Sequence, residues 1–210
     1  MTECPDSPTA RTIAFYDRNA PAFRDGTWDH DVSQNYAALL DAIVAPPPWS
    51  LLDFGCGPGR DLRYFRSLGH DAVGLDGSAR FADMARRHSG AEVWVQDFTT
   101  LDLPAERFDG IFANASLFHV PREAINRTLT ALWASLKPSG VLFCSNPRGN
   151  DEEGDAEGRF GVFYREETWL KVVQAADFQL LRQYYRPAGK PRAQQPWFAT
   201  VWRKVDRRTG

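Results

Sequence analysis

The chain is poor in the residues that would mark several specialised classes. Its 210 residues include only three cysteines, Cys4, Cys56 and Cys144. They are odd in number, far apart and never in a C-x-x-C pair. Neither a disulfide framework nor a zinc site is expected, and a reducing cytoplasm is the expected compartment. No apolar run reaches membrane-spanning length, and the first residues lack the basic-then-apolar pattern of a secretion signal. Neither sign of charge dominates: 25 Lys and Arg face 27 Asp and Glu. The resulting balance offers no strong field to nucleic acid or to an anionic membrane. One locally basic stretch, Arg203, Lys204, Arg207 and Arg208, reads as a solvated strand end and tail. No aromatic-plus-basic stripe of the kind RNA binding uses is evident. Acidic metal-ligand clusters are not evident either, so no metal is expected.

The bulk composition, 43% hydrophobic and 25% charged, is that of a soluble globular protein. The length suits a single domain, 1–210, with one substantial core. Residues 1–9 are expected to be disordered and 10–48 to form a helical cap. In that cap, Arg11 to Phe23 carries Ile13, Phe15, Tyr16, Ala20 and Phe23 at rough helical spacing. A second helix, Ser33 to Val44, is stopped by Pro46, Pro47 and Pro48. Strands then alternate with helices over 50–145, which argues a parallel sheet with right-handed crossovers. Strands are expected near 51–55, 71–75, 92–96, 108–114 and 139–145, and helices near 59–68, 78–88, 121–135 and 166–176. Pro121 is expected in the first turn of its helix. Residues 166–205 hold the last helix and two alternating runs, 178–186 and 196–204, that read as an antiparallel pair. Residues 146–165 are acidic and glycine-rich. A loop this long leaving the C-terminal end of a strand reads as a lid.

The richest signal is Leu51-Leu52-Asp53-Phe54-Gly55-Cys56-Gly57-Pro58-Gly59-Arg60-Asp61: an apolar strand, a glycine turn, then a helix start. Such a turn lets backbone N–H groups and a helix N-terminus approach a ligand with no Cβ in the way. Further on, Val73-Gly74-Leu75-Asp76 ends a second strand with a carboxylate, where nucleotide-binding α/β folds hold a ribose diol. Together the two point to an adenosine-type ligand. A G-x-G-x-x-G dinucleotide fingerprint would need a third glycine at position 60, which is Arg60. Plainer readings stay open at each position. The glycines could simply make a tight turn, and Asp76 could cap a helix at Gly77-Ser78. Asp97 could be a turn residue and Phe98 a core ring.

The run D-x-G-x-G-x-G at 53–59 resembles the cofactor loop of class I S-adenosylmethionine-dependent methyltransferases. Val95-Gln96-Asp97-Phe98, Phe108 to Ala115 and the Leu136-Lys137-Pro138-Ser139-Gly140 turn resemble later pieces of the same family, in order. The resemblance implies a Rossmann-like α/β fold, a seven-stranded, mostly parallel sheet with a reversed last strand. It also implies a cofactor, S-adenosylmethionine, and an enzyme that transfers its methyl group to a small-molecule acceptor by in-line displacement. The implied cofactor residues are Tyr16, Asp53, Gly55, Cys56, Gly57, Gly59, Arg60, Asp76, Gly77, Ser78, Gln96, Asp97, Phe98, Asn114 and Ala115. Among them, Asp53 suits the α-ammonium, the turn's N–H groups the carboxylate, Asp76 the ribose, and Asp97 with Phe98 the adenine. A non-catalytic S-adenosylmethionine-binding module or partner subunit is the alternative.

Three regions could line the acceptor side. Asn114 to Pro121 resembles a segment of a bacterial small-molecule branch that includes tellurite-resistance-like proteins. It carries Ser116 and His119, expected to be the only histidine near the cleft and a base or orienting group. Tyr16-Asp17-Arg18-Asn19-Ala20 resembles that branch's first helix, with Tyr16 over the sulfonium end, where a ring face favours a cation. The lid supplies Arg148, Arg159 and Tyr164. The family's DNA-modifying members place N-P-P-Y or D-P-P-Y after the fourth strand, and Asn114 is followed instead by Ala-Ser-Leu. No nucleic-acid or membrane partner is expected. The accepting atom and the oligomeric state are not legible in the chain.

Overall fold

The computed structural model describes residues 7–205. Two helices come first, α1 (Pro8–Thr27) and α2 (Ser33–Leu40). An alternating series follows: β1 (Ser50–Phe54), α3 (Arg60–Ser67), β2 (Asp71–Asp76), α4 (Ala79–Ser89), β3 (Val93–Val95), β4 (Phe108–Asn114), α5 (Arg122–Ser135) and β5 (Leu136–Pro147). The chain closes with β6 (Glu152–Ala156), β7 (Arg159–Phe163), α6 (Glu166–Gln174), β8 (Phe178–Arg186) and β9 (Trp197–Lys204). The main sheet has seven strands in the order β3-β2-β1-β4-β5-β9-β8. β1 to β5 pair in parallel, and β9 runs antiparallel to both β5 and β8. This is the expected sheet, with its last strand reversed and inserted between β5 and the edge strand β8.

Alternation along the strands separates two apolar layers. Leu52, Phe54, Ile111 and Leu142 pack with α5 and α6 through Leu129, Leu132, Trp169 and Val173. Leu51, Phe112, Val141 and Phe143 face the other way, against Tyr36 and Leu39 of α2, Leu62 and Phe65 of α3, and Ala82 and Ala85 of α4. The strand order reverses between β1 and β4, the switch point where open α/β sheets bind ligands beyond the strands' C-terminal ends.

Several expected boundaries differ. Residues 1–6 lie outside the described residues, but Pro8 and Thr9 belong to α1, because Ser7 caps it by accepting from the Ala10 amide. α1 also runs through Pro21. That proline cannot donate to the Asp17 carbonyl, and the Arg80 guanidinium reaches this carbonyl instead, at 3.4 Å. α2 ends at Leu40, short of Val44. Pro121 is the N-cap of α5 rather than part of its first turn.

The largest correction concerns 146–165, which is no structureless loop. β6 and β7 pair antiparallel, Glu152 opposite Phe163 and Ala156 opposite Arg159, around Glu157 and Gly158, both at positive φ. A two-residue turn of that conformation matches strand twist and favours glycine. Lys204, expected in solvent, is buried, its ammonium donating to the Leu136 carbonyl and lying over the Trp133 ring. Arg207 and Arg208 lie outside the described residues.

Phe112 ties the second layer together. Its ring stacks on Phe143 and meets Phe65 edge-on, with no exposed surface. Phe112→Ala should lower unfolding free energy by about 3–5 kcal/mol in urea titrations, through lost burial and a residual cavity.

Candidate active site

β1 ends in a turn that only glycine can make at its first position. Gly55 has φ +77, and a Cβ there would sit 2.4 Å from the Ser116 Cβ. Gly59 is also left-handed, and its Cβ would collide with the Ala85 backbone of α4 at 2.6 Å. The turn's amides are not free for a ligand carboxylate, contrary to expectation. Gly55 and Cys56 donate to the Leu75 carbonyl, Gly57 to the Asp76 carboxylate, and Gly59 to the Cys56 carbonyl. These bonds fold the turn onto the end of β2.

A cavity of about 730 Å³ opens above this turn. Its floor is Gly55, Cys56, Gly57 and Asp76, and its walls include Tyr16, Phe98, Asn114, Phe118 and Trp197. Of the residues expected at the cofactor, Tyr16, Gly55, Cys56, Gly57, Arg60, Asp76, Gly77, Ser78, Phe98, Asn114 and Ala115 line it. Asp53, Gly59, Gln96 and Asp97 do not reach its wall. Gln96 exchanges hydrogen bonds with the Asp102 backbone, and Asp97 accepts from the Thr99 amide and hydroxyl, a local turn. Of the acceptor-side residues, Ser116, His119 and Arg159 line the cavity, while Arg148 and Tyr164 do not. Arg148 is bound to Glu166 and to the Arg192 and Gln195 carbonyls. Tyr164 is buried against Trp169, beneath the Arg122 guanidinium. His119 is not the only histidine at the cleft, since His30 also lines it.

The electrostatics are unusual around the turn. Arg60 grips Asp61 through two bonds, at 2.6 and 3.0 Å, and reaches the Thr27 carbonyl. Asp61 also accepts from the Tyr36 hydroxyl at 2.6 Å. Asp53 has an oxygen with no hydrogen-bond partner among the described residues. Burial, with the Asp61 charge adding to it, pushes the Asp53 carboxyl well above its ordinary range. Burial also raises Asp76 to about 6, although the Ser78 and Gly57 amides oppose the shift. Asp76, a buried acid held by backbone amides at the cavity floor, is chemically suited to a ligand carrying hydroxyl donors.

The roof is built by α1, the β6–β7 hairpin and a short turn after β4, Leu117–His119. Asp17 of α1 accepts from the Ser78 hydroxyl and the Arg80 amide at the start of α4. Thr12 of α1 accepts the Phe160 amide at 2.8 Å. The Phe160 carbonyl lies 2.6 Å from His119 Nδ1, and Tyr16 Oη lies 2.9 Å from Nε2. A carbonyl can only accept, so Nδ1 carries the proton, and Tyr16 donates to a bare Nε2. Desolvation lowers His119 to about 4. At neutral pH only about one imidazole in a thousand would be protonated.

Sequence reasoning missed Asp61, Phe23, Trp28, Phe81, Phe118, Trp197 and Arg186 on the wall. Asp61 had a signal, an acid in the first turn of a helix that follows the glycines. Trp197 and Arg186 had none, because β8 and β9 reach the cleft only through sheet pairing.

In the unfolded chain His119 takes a proton near pH 6.5, while in the fold it does so only near 4. Its contribution to stability is therefore complete above about 6.5 and is lost as pH falls toward 4, by about 3 kcal/mol. Denaturation midpoints of the wild type and His119→Gln, compared at pH 7 and pH 4, should show the gap between them moving by that amount.

Comparison with known proteins agrees with this geometry. Residues 51–140 match the family model described as a methyltransferase domain. The chain is 32% identical over 134 residues to a malonyl-(acyl-carrier protein) O-methyltransferase of Enterobacter lignolyticus, covering 61% of this chain and 50% of that protein. It is 35% identical over 136 residues to a trans-aconitate 2-methyltransferase of Azoarcus sp., covering 60% and 53%. The chain thus spans about half the length of these curated relatives. A Burkholderia thailandensis 1,6-didemethyltoxoflavin-N1-methyltransferase, solved with bound 1,6-didemethyltoxoflavin and S-adenosylhomocysteine, superposes with a TM-score of 0.76 at 23% identity, covering 98% of this chain and 92% of that one. The (4+2)-cyclase SpnF superposes with a TM-score of 0.74 at 19% identity, covering 97% and 99%. At these identities the structural likeness is one of fold.

Proposed function

We propose that this chain, whose residues 51–140 match the family model described as a methyltransferase domain, is a class I, S-adenosylmethionine-dependent enzyme that methylates a small-molecule acceptor at the cavity above its glycine turn. The reading rests on Asp76, the buried acid that faces the cavity beside that turn. Asp76 lines the cavity at the end of β2, where ribose hydroxyls can donate to it, while Asp53, behind the wall, has an oxygen with no hydrogen-bond partner among the described residues. Phe98, packed on Phe54 with ring centroids 4.3 Å apart, offers a face to an adenine. Tyr16 lines the same cavity from α1. When bound, S-adenosylmethionine supplies an electrophilic methyl group on a sulfonium sulfur.

The chain's own part is to align and to exclude water. α1 and the hairpin cover the cleft, and aromatic walls hold the acceptor without competing for its reactive atom. His119 is a poor proton sink. Both its nitrogens are engaged, and a buried imidazolium beside Arg159 is disfavoured. The site therefore suits an acceptor that arrives already nucleophilic near neutral pH.

Calorimetry with S-adenosylhomocysteine and with NAD tests this reading. S-adenosylhomocysteine should bind and NAD should not; the opposite result would refute it. Asp76→Ala should weaken S-adenosylhomocysteine by about 10- to 100-fold, the worth of hydrogen bonds to a charged acceptor. Because Asp76 is held near 6, its charged form is lost as pH drops through that value. Affinity should fall between pH 7 and pH 5 in the wild type and stay level in Asp76→Asn.

A further inference from the structure

Most polar groups lining the cavity are already spent within the protein. His119 is used at both nitrogens, and Tyr16 donates to one of them. Asp61 is used by Tyr36 and Arg60, and Arg60 by Asp61 and the Thr27 carbonyl. Arg186 donates to the Asp31 carbonyl. Arg159 is different. Arg159 lines the cleft, its Nε is buried with no hydrogen-bond partner among the described residues, and its charge partly offsets the rise that burial imposes on the Tyr16 hydroxyl. The guanidinium lies over the Phe15 ring, 5.1 Å from the centroid, and among the described residues it pairs with Glu157, a side chain 81% exposed at the hairpin tip. Such a pair in open solvent contributes little and releases readily.

A buried, unpaired guanidinium donor is costly unless a ligand completes it. Its natural complement is a planar carboxylate, which accepts two parallel N–H bonds from the fork. The wall nearby is apolar: Phe118 packs on the His119 ring, with centroids 3.9 Å apart, and meets Trp197 edge-on. Ser116, buried and with no partner for its hydroxyl among the described residues, lines the same cavity against the glycine turn.

We propose that the acceptor is a small aromatic or unsaturated carboxylic acid, and that Arg159 recognises its carboxylate at the roof while Phe118 and Trp197 hold its flat frame. The inference rests on the methyltransferase reading above. Arg159 selects and orients the acceptor; its substitution should leave Asp76, at the floor of the cavity, untouched. Because β7 carries Arg159 and the neighbouring Phe160 clasps α1 and His119, acceptor recognition and closure of the roof occur in one element.

The test uses the whole chain saturated with S-adenosylhomocysteine, titrated calorimetrically with benzoate, cinnamate and fumarate and with their uncharged amides. At least one acid should bind at least tenfold tighter than its amide. Arg159→Gln should abolish that preference, and Arg159→Lys should retain part of it, since a point charge keeps attraction but loses the fork. Both variants should keep wild-type affinity for S-adenosylhomocysteine, which also reports that they fold. If S-adenosylhomocysteine binds the wild type but no acid outcompetes its amide, or Arg159→Gln leaves the preference unchanged, the carboxylate assignment is wrong and the methyltransferase reading stands. If S-adenosylhomocysteine itself fails to bind the wild type, the methyltransferase reading falls and this inference falls with it.

Discussion

Three buried carboxylates crowd the first turn of this protein, and one guanidinium serves them. Asp61 takes Arg60 almost entirely, which leaves Asp53 and Asp76 under desolvation with only backbone amides and distant charge to stabilise them. A fold selected only for stability would neutralise such groups or exchange them for apolar ones. Here the cost is kept at the C-terminal ends of β1 and β2, beside the sheet's switch point. A ligand that brings hydroxyl donors to Asp76 would relieve part of it.

The roof answers a different constraint. The parallel sheet by itself leaves the strand ends, and with them the cavity, open to water. α1 closes one side by docking Asp17 on the N-terminus of α4, where amide donors and the helix dipole favour an acid. The hairpin closes the other, through Thr12 to the Phe160 amide and the Phe160 carbonyl to His119. That chain of bonds runs on through Nε2 to Tyr16, back on α1. Helix, hairpin and post-β4 turn are thereby joined by a closed circuit of hydrogen bonds over the cavity. His119 works as a positioned acceptor within that circuit.

Much of this was legible beforehand, for local reasons. The strand–turn–helix at 51–61 declares itself because left-handed backbone requires glycine at Gly55 and Gly59. The parallel series over 50–145 shows as apolar runs alternating with helical patterns, since each strand is buried on both faces. The β6–β7 hairpin was hidden because Glu and Gly dominate its composition. Its inward residues, Phe160 and Val162, are few, and the Glu157-Gly158 turn is a weaker signal than Asn-Gly. Tyr164 and Arg148 drew attention as polar and aromatic residues near a strand end, but packing turned both away from the cleft. Cleft-lining Trp197 and Arg186 could not be seen at all, because strand register brings them there from the far end of the chain.

From sequence alone came the order of elements, the glycine turn and the two acids that flank it, because each depends on backbone conformation or period within about ten residues. Tertiary structure decided which side chains face the cavity and which donors remain unpaired, because those depend on contacts across the fold. His119 is the clearest case. Its identity is local, but its tautomer and its proton affinity are set by a carbonyl 41 residues downstream and a phenol 103 residues upstream.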